Sequence, residues 1–296
     1  MKALTKFLVV WILISIPLLV AGWFIGGILG LEVHLLILVS VIMTFLFMFI
    51  YLSSDKVLLH RYHARSLEVD SDGILKIARE LSVSFDIPMP KVYTSDVPMP
   101  NLMVVGRSEK SASIVMTGKI DELLEKDELQ AAFAYEMSRM KNGDTLSNTV
   151  VAMVCGSITA LATIAMWASI FTGFGQEDDP GPMLVKFFVM GLVAPPVALI
   201  IQLTSKESSV FKADVLAFSM LSDPRKLISA IEKLHTELIS NEYHANPSYV
   251  HLFMVSPLRV NFKKLIGLDL PTYNLLFRTH PSVQKRVRRL KYSGGK

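Results

Sequence analysis

Long uncharged stretches constrain this 296-residue chain more than any other feature of its sequence. A helix needs about 20 apolar residues to cross the roughly 30 Å of hydrocarbon in a bilayer. Four segments reach that length, at about 7–31, at 33–54, within 145–176 and at 183–203. The chain is 51% hydrophobic and 19% charged, a balance unusual for a soluble domain. The sequence therefore predicts a multi-pass membrane protein with the lipid bilayer as a partner.

Basic residues near the ends of these segments indicate how the chain is oriented. Lys2 and Lys6 precede the first segment and Arg61 follows the second, whereas the connection between the third and fourth segments is acidic. Connections rich in Lys and Arg stay in the cytoplasm. We therefore expect the protein in the cell membrane, with both termini and residues 55–144 and 205–296 on the cytoplasmic side.

This orientation divides the chain into four parts. Residues 1–54 and 145–204 each hold two transmembrane helices, and residues 55–144 and 205–296 together form one soluble domain. Apolar spacing predicts helices in "DGILKIARELSVSFDI", in "DELLEKDELQAAFAYEMSRMKNGD" and in "DPRKLISAIEKLHTEL". Strands are predicted in "PMPKVYTS" and, as a pair around a polar turn, in "NLMVVGRSEKSASIVMTG".

Cysteine content and charge exclude several classes of function. The single cysteine, Cys155, excludes an intrachain disulfide and a cysteine-based zinc cluster. The net charge of +4 is small, and no dense basic patch interleaved with aromatic residues is present. We therefore expect no nucleic-acid partner.

The stretch "AAFAYEMSRMKNGD", residues 131–144, differs at two positions from a zinc-binding helix. In the motif H-E-x-x-H, two histidines one helical turn apart bind the metal, and the glutamate acts as general base. Here Tyr135 and Arg139 occupy the histidine positions, and Glu136 occupies that of the base. An isolated Y-E-x-x-R occurs by chance in many helices, so the surrounding segments decide its meaning.

Those segments resemble the HtpX-type membrane zinc metalloproteases, relatives of the CAAX prenyl endoproteases. The resemblance covers nearly the whole chain, in "IPMPKVYTSDVPMPNLMVVG", in the segment leading into "AYEMSRMKNGD", in "SVFKADVLA" and in "LFRTHPSVQKRVRRL". It implies an α-helical membrane protein with four transmembrane helices plus an α+β cytoplasmic gluzincin-like metalloprotease domain.

The same resemblance implies that the metal ligands are missing. It places the two histidine ligands of the family on Tyr135 and Arg139, and the glutamate ligand on Val210. Valine cannot bind a metal, and arginine stays protonated and repels one. We therefore expect no cofactor, with the zinc of the family absent.

Three other site residues are retained according to the resemblance. They are Glu136 at the position of the general base, Asp214 behind the ligands, and His280 in the Thr-His-Pro segment. Buried carboxylates without a metal would be costly, and a guanidinium can replace the lost positive charge. We expect Arg139 to pair with Asp214 or Glu136, and Tyr135 to pack against Val210.

These residues favour a catalytically inactive pseudoprotease that acts as a binding, scaffolding or regulatory subunit of a membrane complex. Its partner would be a membrane protein or a peptide. The strand around Asn101, Met103 and Val105 could hold an extended peptide by backbone pairing, or could simply complete a small sheet.

The alternative is an active membrane endopeptidase with an unorthodox or relocated metal site. Ser138 is the nearest candidate nucleophile, but the sequence offers it no base, and an outward-facing helical serine is the simpler interpretation. A relocated metal could use Glu207 with Glu136 and His280, whereas an ordinary surface charge would also explain Glu207.

Other features have structural explanations. His60 and His63 follow the second apolar segment as an interfacial cluster, with a metal site as the less favoured interpretation. His235, His244 and His251 share no helical face and indicate no ligand set. The basic tail could contact anionic headgroups or form a solvated helix face.

Overall fold

The computed structural model describes residues 11–12, 15–16, 19–20, 22–24, 26–69, 73–171, 199–202, 207–241, 243, 245–257 and 280–293. The described positions between 11 and 29 are helical, in agreement with the first apolar segment. Most of the fourth apolar segment, including Pro195 and Pro196, lies outside the described residues.

Helix α1 (Glu32–Arg61) forms where the second apolar segment predicts a helix and continues past Ser54. Large apolar side chains such as Phe45 and Phe49 are exposed along it. Within the part of the chain that the structure describes, one helix, Val33–Arg61, has the length and apolar composition needed to cross a membrane. An apolar surface of this kind suits contact with lipid.

A four-stranded sheet follows α1. Its strands are β1 (Arg65–Ser66), β2 (Lys91–Ser95), β3 (Asn101–Val105) and β4 (Ser113–Thr117), in the order β1-β2-β4-β3. Strands β2 and β4 are parallel, and the other two pairs are antiparallel. The strands predicted from the sequence are confirmed, and the order leaves β3 at one edge of the sheet.

Seven further helices lie within the described residues. They are α2 (Ile74–Phe85), α3 (Ile120–Leu123), α4 (Lys126–Lys141), α5 (Asp144–Phe171), α6 (Glu207–Met220), α7 (Arg225–Ser240) and α8 (Val283–Ser293). Of these, α5 coincides with the third apolar segment. Helices α2 and α7 confirm the predictions from apolar spacing. The single helix expected before Gly143 is instead two, α3 and α4. The break occurs because the side chains and backbones of Glu125 and Glu128 form a capping box that starts a new helix.

Helix α4 is the central element and packs against α2, α6, α7 and β3. Every residue from Ala131 to Met140 is buried, so the helix has neighbours on all sides. It ends before Gly143, whose φ of +72° is a conformation that glycine adopts without steric cost. Helix α5 begins at the next residue, where the third apolar segment predicts a membrane helix.

Candidate functional site

Glu136 lies on α4 with its side chain fully buried. Arg139 follows one turn later on the same helix, with its Nη1 atom 3.0 Å from Oε2 of Glu136. Residues three positions apart lie on the same face of a helix, which allows the two side chains to meet. Of the two partners that the sequence predicts for Arg139, Glu136 is therefore the one confirmed.

Asp214 on α6 has a different partner, Arg286 on α8. The guanidinium binds both carboxylate oxygens, with Nε 2.9 Å from Oδ2 and Nη2 2.7 Å from Oδ1. Both side chains are almost completely buried, at 1% and 2% exposure. Sequence reasoning missed Arg286, although its spacing from Leu290 places both residues on the buried face of α8.

Residues 251–255, here called the cleft segment, lie across both ion pairs. Five successive backbone carbonyls of this segment accept hydrogen bonds from side chains of other elements. Arg139 donates to His251 and Leu252, His280 to Phe253, Arg286 to Met254, and Asn101 to Val255. The site residues thus hold a stretch of main chain.

The cleft segment also lies antiparallel to β3. Met103 is opposite Phe253, and the backbone N–H of Met254 donates to the carbonyl of Leu102 over 2.8 Å. Sequence reasoning predicted no structure for the cleft segment.

The peptide-binding residues proposed from the sequence, Asn101, Met103 and Val105, all lie on β3 and are fully buried. The Asn101 side chain binds the backbone of Val255 through both its nitrogen and its oxygen, at 2.7 and 3.3 Å. The edge strand exists as predicted, and the chain itself covers it.

A single guanidinium nitrogen connects Glu136 to this main chain. Nη1 of Arg139 donates to the Glu136 carboxylate and also to the carbonyl of Leu252. Burial raises the pKa of Glu136 to about 7, while Arg139 and the backbone N–H of Val104 on β3 favour the charged form. Glu136 is therefore a carboxyl group that exchanges a proton near neutral pH.

Two buried histidines, His280 and the first residue of the cleft segment, His251, are held in the neutral form. Burial lowers the pKa of His280 to about 3, and Arg286 and Arg139 act in the same direction. Burial also lowers the pKa of His251 to about 4. Nε2 of each ring lies against a backbone carbonyl, which can only accept, so Nε2 carries the proton. The sequence indicates no ligand set for His251, and the 3₁₀ turn Pro247–Leu252 places this residue beside Arg139.

Tyr135 occupies the first ligand position implied by the resemblance. The guanidinium of Arg286 lies 4.8 Å from the centre of its ring, and within the described residues its buried hydroxyl has no hydrogen-bond partner. Burial raises the pKa of this hydroxyl well above its usual value. Val210 on α6 is half-buried against the core, and its packing against Tyr135 stays a prediction.

These positions do not fit a zinc ion. The Tyr135 phenol is held protonated, Arg139 brings a fixed positive charge, and Val210 has no donor atom. Within the described residues, no group of three or more His, Cys, Asp or Glu side chains could hold a metal. We assign no ligand set to zinc at this place.

The relocated metal site considered from the sequence is not assembled either. Glu207 pairs with Lys285 at 2.8 Å, on the partly exposed outer side of α6. Glu136 is paired with Arg139, and Nε2 of His280 is bound to the carbonyl of Phe253.

Ser138 is the nearest candidate nucleophile that the sequence offers. Ser138 is fully buried rather than outward-facing, and its hydroxyl donates to the carbonyl of Ala134 on its own helix. The prediction fails because α4 is covered on all sides. The rings of His60 and His63 lie 6.4 Å apart, without a metal-binding group of three in the described part of the chain.

Comparisons with known proteins agree with one another. The model of "Peptidase family M48" matches residues 68–293. A "Protease HtpX homolog" from Syntrophobacter fumaroxidans is 35% identical over 245 residues, covering 81% of this chain and 83% of that protein. One from Thermodesulfovibrio yellowstonii is 32% identical over 286 residues, covering 96% of each.

A solved structure, the crystal structure of S. mikatae Ste24p, is 18% identical with a TM-score of 0.49. The alignment covers 98% of this chain and 65% of that one.

The family and the relatives overturn two predictions made from the sequence. The prediction that the chain is not an enzyme is wrong, because the matching family is a peptidase family and the relatives are named proteases. The prediction of no cofactor is wrong, because a zinc cofactor is expected for an HtpX-type member of this family. Both predictions assumed that substitution of the three ligand positions abolishes the reaction. Glu136, at the position of the general base, nevertheless remains in a buried polar site.

Proposed function

This chain belongs to peptidase family M48, among its HtpX-type members, and we propose that it is a membrane endopeptidase with an unorthodox active site. The observation that carries the proposal is the position of Glu136. Its carboxylate is buried beside the edge strand β3, one guanidinium nitrogen away from a backbone carbonyl. A role as a scaffolding or regulatory subunit of a membrane complex stays a prediction.

The cleft segment supports a binding mode for the substrate. An extended polypeptide would lie antiparallel to β3 and pair with it through its backbone. A substrate carbonyl that takes the position of the Leu252 carbonyl would accept a hydrogen bond from Arg139. The next substrate carbonyl, at the position of Phe253, would accept one from His280.

The chemical roles of the residues follow from their charges. Glu136, with a pKa of about 7, can accept a proton from an attacking water molecule at neutral pH and pass it to the departing amine nitrogen when the peptide bond breaks. Fixed donors aimed at a carbonyl oxygen stabilise the negative charge that develops on it during attack. In this proposal Arg139 holds Glu136 in place and polarises the bond to be cleaved. Arg286 positions the neighbouring main chain and holds Asp214.

We propose the multi-pass arrangement as well. The chain would cross the cell membrane four times, with both termini and the two soluble parts, residues 55–144 and 205–296, in the cytoplasm. Helix α1 supports the second crossing by its length and apolar surface. The clustering of basic residues at the ends of the apolar segments supports the orientation.

The direct test is digestion of casein by the purified full-length protein in detergent, with added zinc and, separately, with a chelator. We expect cleavage in the presence of zinc. Loss of cleavage on chelation would show that the activity requires the metal expected for the family. Absence of cleavage under every condition, with a relative named as an HtpX protease active in parallel, would contradict the proposal.

A further inference from the structure

The cleft segment is held as a bound peptide would be held. Backbone carbonyls in folded proteins are bound mainly by other backbone groups. Here five in succession are bound by side chains of β3, of α4, of α8 and of the Thr-His-Pro segment. Side chains that bind main chain in this way contact groups that every polypeptide possesses.

The side chains of the cleft segment indicate which sequences the site accepts. Leu252, Phe253 and Met254 are each fully buried, and the Phe253 ring makes an edge contact with Tyr62 at 5.8 Å. The surroundings of these three side chains are therefore apolar, although the atoms that bind their backbone carbonyls are polar or charged. The backbone is extended at Phe253, where the 3₁₀ turn ends, so a ligand of matching chemistry is a segment of large apolar residues that is extended at this position.

The backbone pairing between the cleft segment and β3 is short. Within the described residues it consists of the Met103–Phe253 bridge, with the Met254 to Leu102 hydrogen bond. The β3–β4 pairing, in contrast, continues over all five residues of each strand. Most of the polar contacts of the cleft segment thus come from side chains, which can equally bind another main chain that replaces it.

We propose that the cleft segment is the resident occupant of a polypeptide-binding site, and that an extended apolar polypeptide displaces it. Glu136 is fully buried, and one nitrogen of Arg139 joins it to the carbonyl of Leu252, so displacement of the cleft segment would give a substrate access to the carboxylate. That displacement allows cleavage rests on the proposed function. That a polypeptide displaces the cleft segment does not. The site therefore selects extended apolar stretches.

A reversible cross-link tests the displacement. The variant Met103→Cys with Phe253→Cys, in a Cys155→Ala background, joins β3 to the cleft segment at a directly opposed pair, a geometry that suits a disulfide. The matched control, Met103→Cys with Val115→Cys, joins β3 to β4 and leaves the cleft segment free. The probe is a fluorescein-labelled peptide of sequence VHLFMVS, a copy of residues 250–256.

We expect the Met103–Phe253 variant to form the disulfide on oxidation and then to bind the probe at least tenfold more weakly than when reduced. The control is expected to bind equally in both redox states. Failure of the disulfide to form, equal binding in both states, or no binding in the reduced state would each overturn the inference.

Casein digestion on the same samples separates this inference from the proposed function. Redox-dependent probe binding without any cleavage would support the inference and contradict the proposed function. Cleavage that is equal in the oxidised and reduced forms would overturn the inference, and with it the pairing of substrate with β3, but would still support an endopeptidase activity.

Hydrogen exchange on the unmodified protein provides a measurement that needs no variant. At saturating probe, we expect faster exchange at the amide of Met254, which loses its hydrogen bond to Leu102 when the segment leaves. Unchanged exchange at saturation would overturn the inference.

Discussion

The two ends of helix α4 place similar carboxyl groups in different surroundings. Glu128, in the first turn, receives hydrogen bonds from Lys233 at 2.7 Å and from Ser229 at 2.6 Å. Glu136, about two turns later, pairs with Arg139 at 3.0 Å. Both carboxyl groups are buried, and burial is the largest single influence on the pKa of each, but the donors together outweigh it at Glu128 and do not at Glu136. Burial opposes the charge of Glu128, but its donors lower the pKa, whereas burial raises that of Glu136 to about 7.

Access to water and position in the helix explain the difference. The side chain of Lys233 is 38% exposed and keeps part of its hydration, whereas that of Arg139 is 6% exposed. Glu128 also lies at the helix N-terminus, where the backbone dipoles favour a negative charge. One end of α4 therefore anchors α7 through a stable ion pair, and the other end holds a carboxyl group that can exchange a proton.

Removal of the cation at the buried end should have the largest effect on stability. Arg139→Met leaves Glu136 buried and without its partner, and breaking a buried pair costs about 3–5 kcal/mol. At the other end, Lys226→Met removes a partly exposed partner of Glu125 and should not change the melting temperature measurably. The measurement is thermal and denaturant unfolding in detergent at pH 8.

A double substitution sharpens this test. Adding Glu136→Leu to Arg139→Met removes the uncompensated charge and should restore much of the lost stability. Equal losses for Arg139→Met and Lys226→Met would contradict the difference between the two ends.

The second buried pair should depend on the shape of its cation. Arg286→Lys keeps the charge but loses the two-point contact with Asp214 and the bond to Met254, at a cost of about 1.5–3 kcal/mol. Arg288→Lys, two residues later on the exposed face of α8, is the matched control and should be neutral. Equal stability of the two variants would show that Arg286 acts as a charge alone.

The pH dependence of unfolding should distinguish the two carboxyl groups. The folded protein protonates Glu136 at about pH 7, above the ordinary value of 4.5, so its contribution to stability is greatest below pH 4.5 and declines as the pH rises to about 7. Glu136→Gln should remove this decline, visible as a smaller change in melting temperature between pH 5 and pH 8. An unchanged pH profile would show that Glu136 is ionised throughout this range.

The smallest effect is expected at the first turn of α4. The lowered pKa of Glu128 means that its stabilising contribution is complete above its ordinary pKa of 4.5 and is lost as the pH falls below that value. Glu128→Gln should lower the melting temperature modestly at pH 7 and less at pH 4. A loss as large as that of Arg139→Met would remove the contrast between the ends.

The spacing of apolar residues and the composition of short segments were enough to predict several helices and strands. The spacing of Ile74, Ile77 and Leu81 predicted α2, and the strand composition predicted β2, β3 and β4. Helix α4 is buried on every side, so no polar face distinguishes inward from outward positions. For that reason the prediction for Ser138 failed while the pairing of Arg139 with its helix neighbour succeeded.

The rest of the site depends on contacts between residues far apart in sequence. Arg286 meets Asp214 across 72 positions, and Arg139 meets the cleft segment across 112 or more. The cleft segment has neither helical nor strand periodicity, and its conformation is determined by the side chains that bind it. A single sequence gives no local signal for such a placement.

Cleavage by a Glu136→Gln variant tests the central claim most directly. The claim is that the buried end of α4 is reactive and the other end is structural, and general-base catalysis contributes about 10²–10⁴-fold in rate. We predict that Glu136→Gln digests casein at least about 100-fold more slowly than the parent, while the control Glu128→Gln digests it at the parental rate. Digestion by Glu136→Gln at the parental rate would contradict the account.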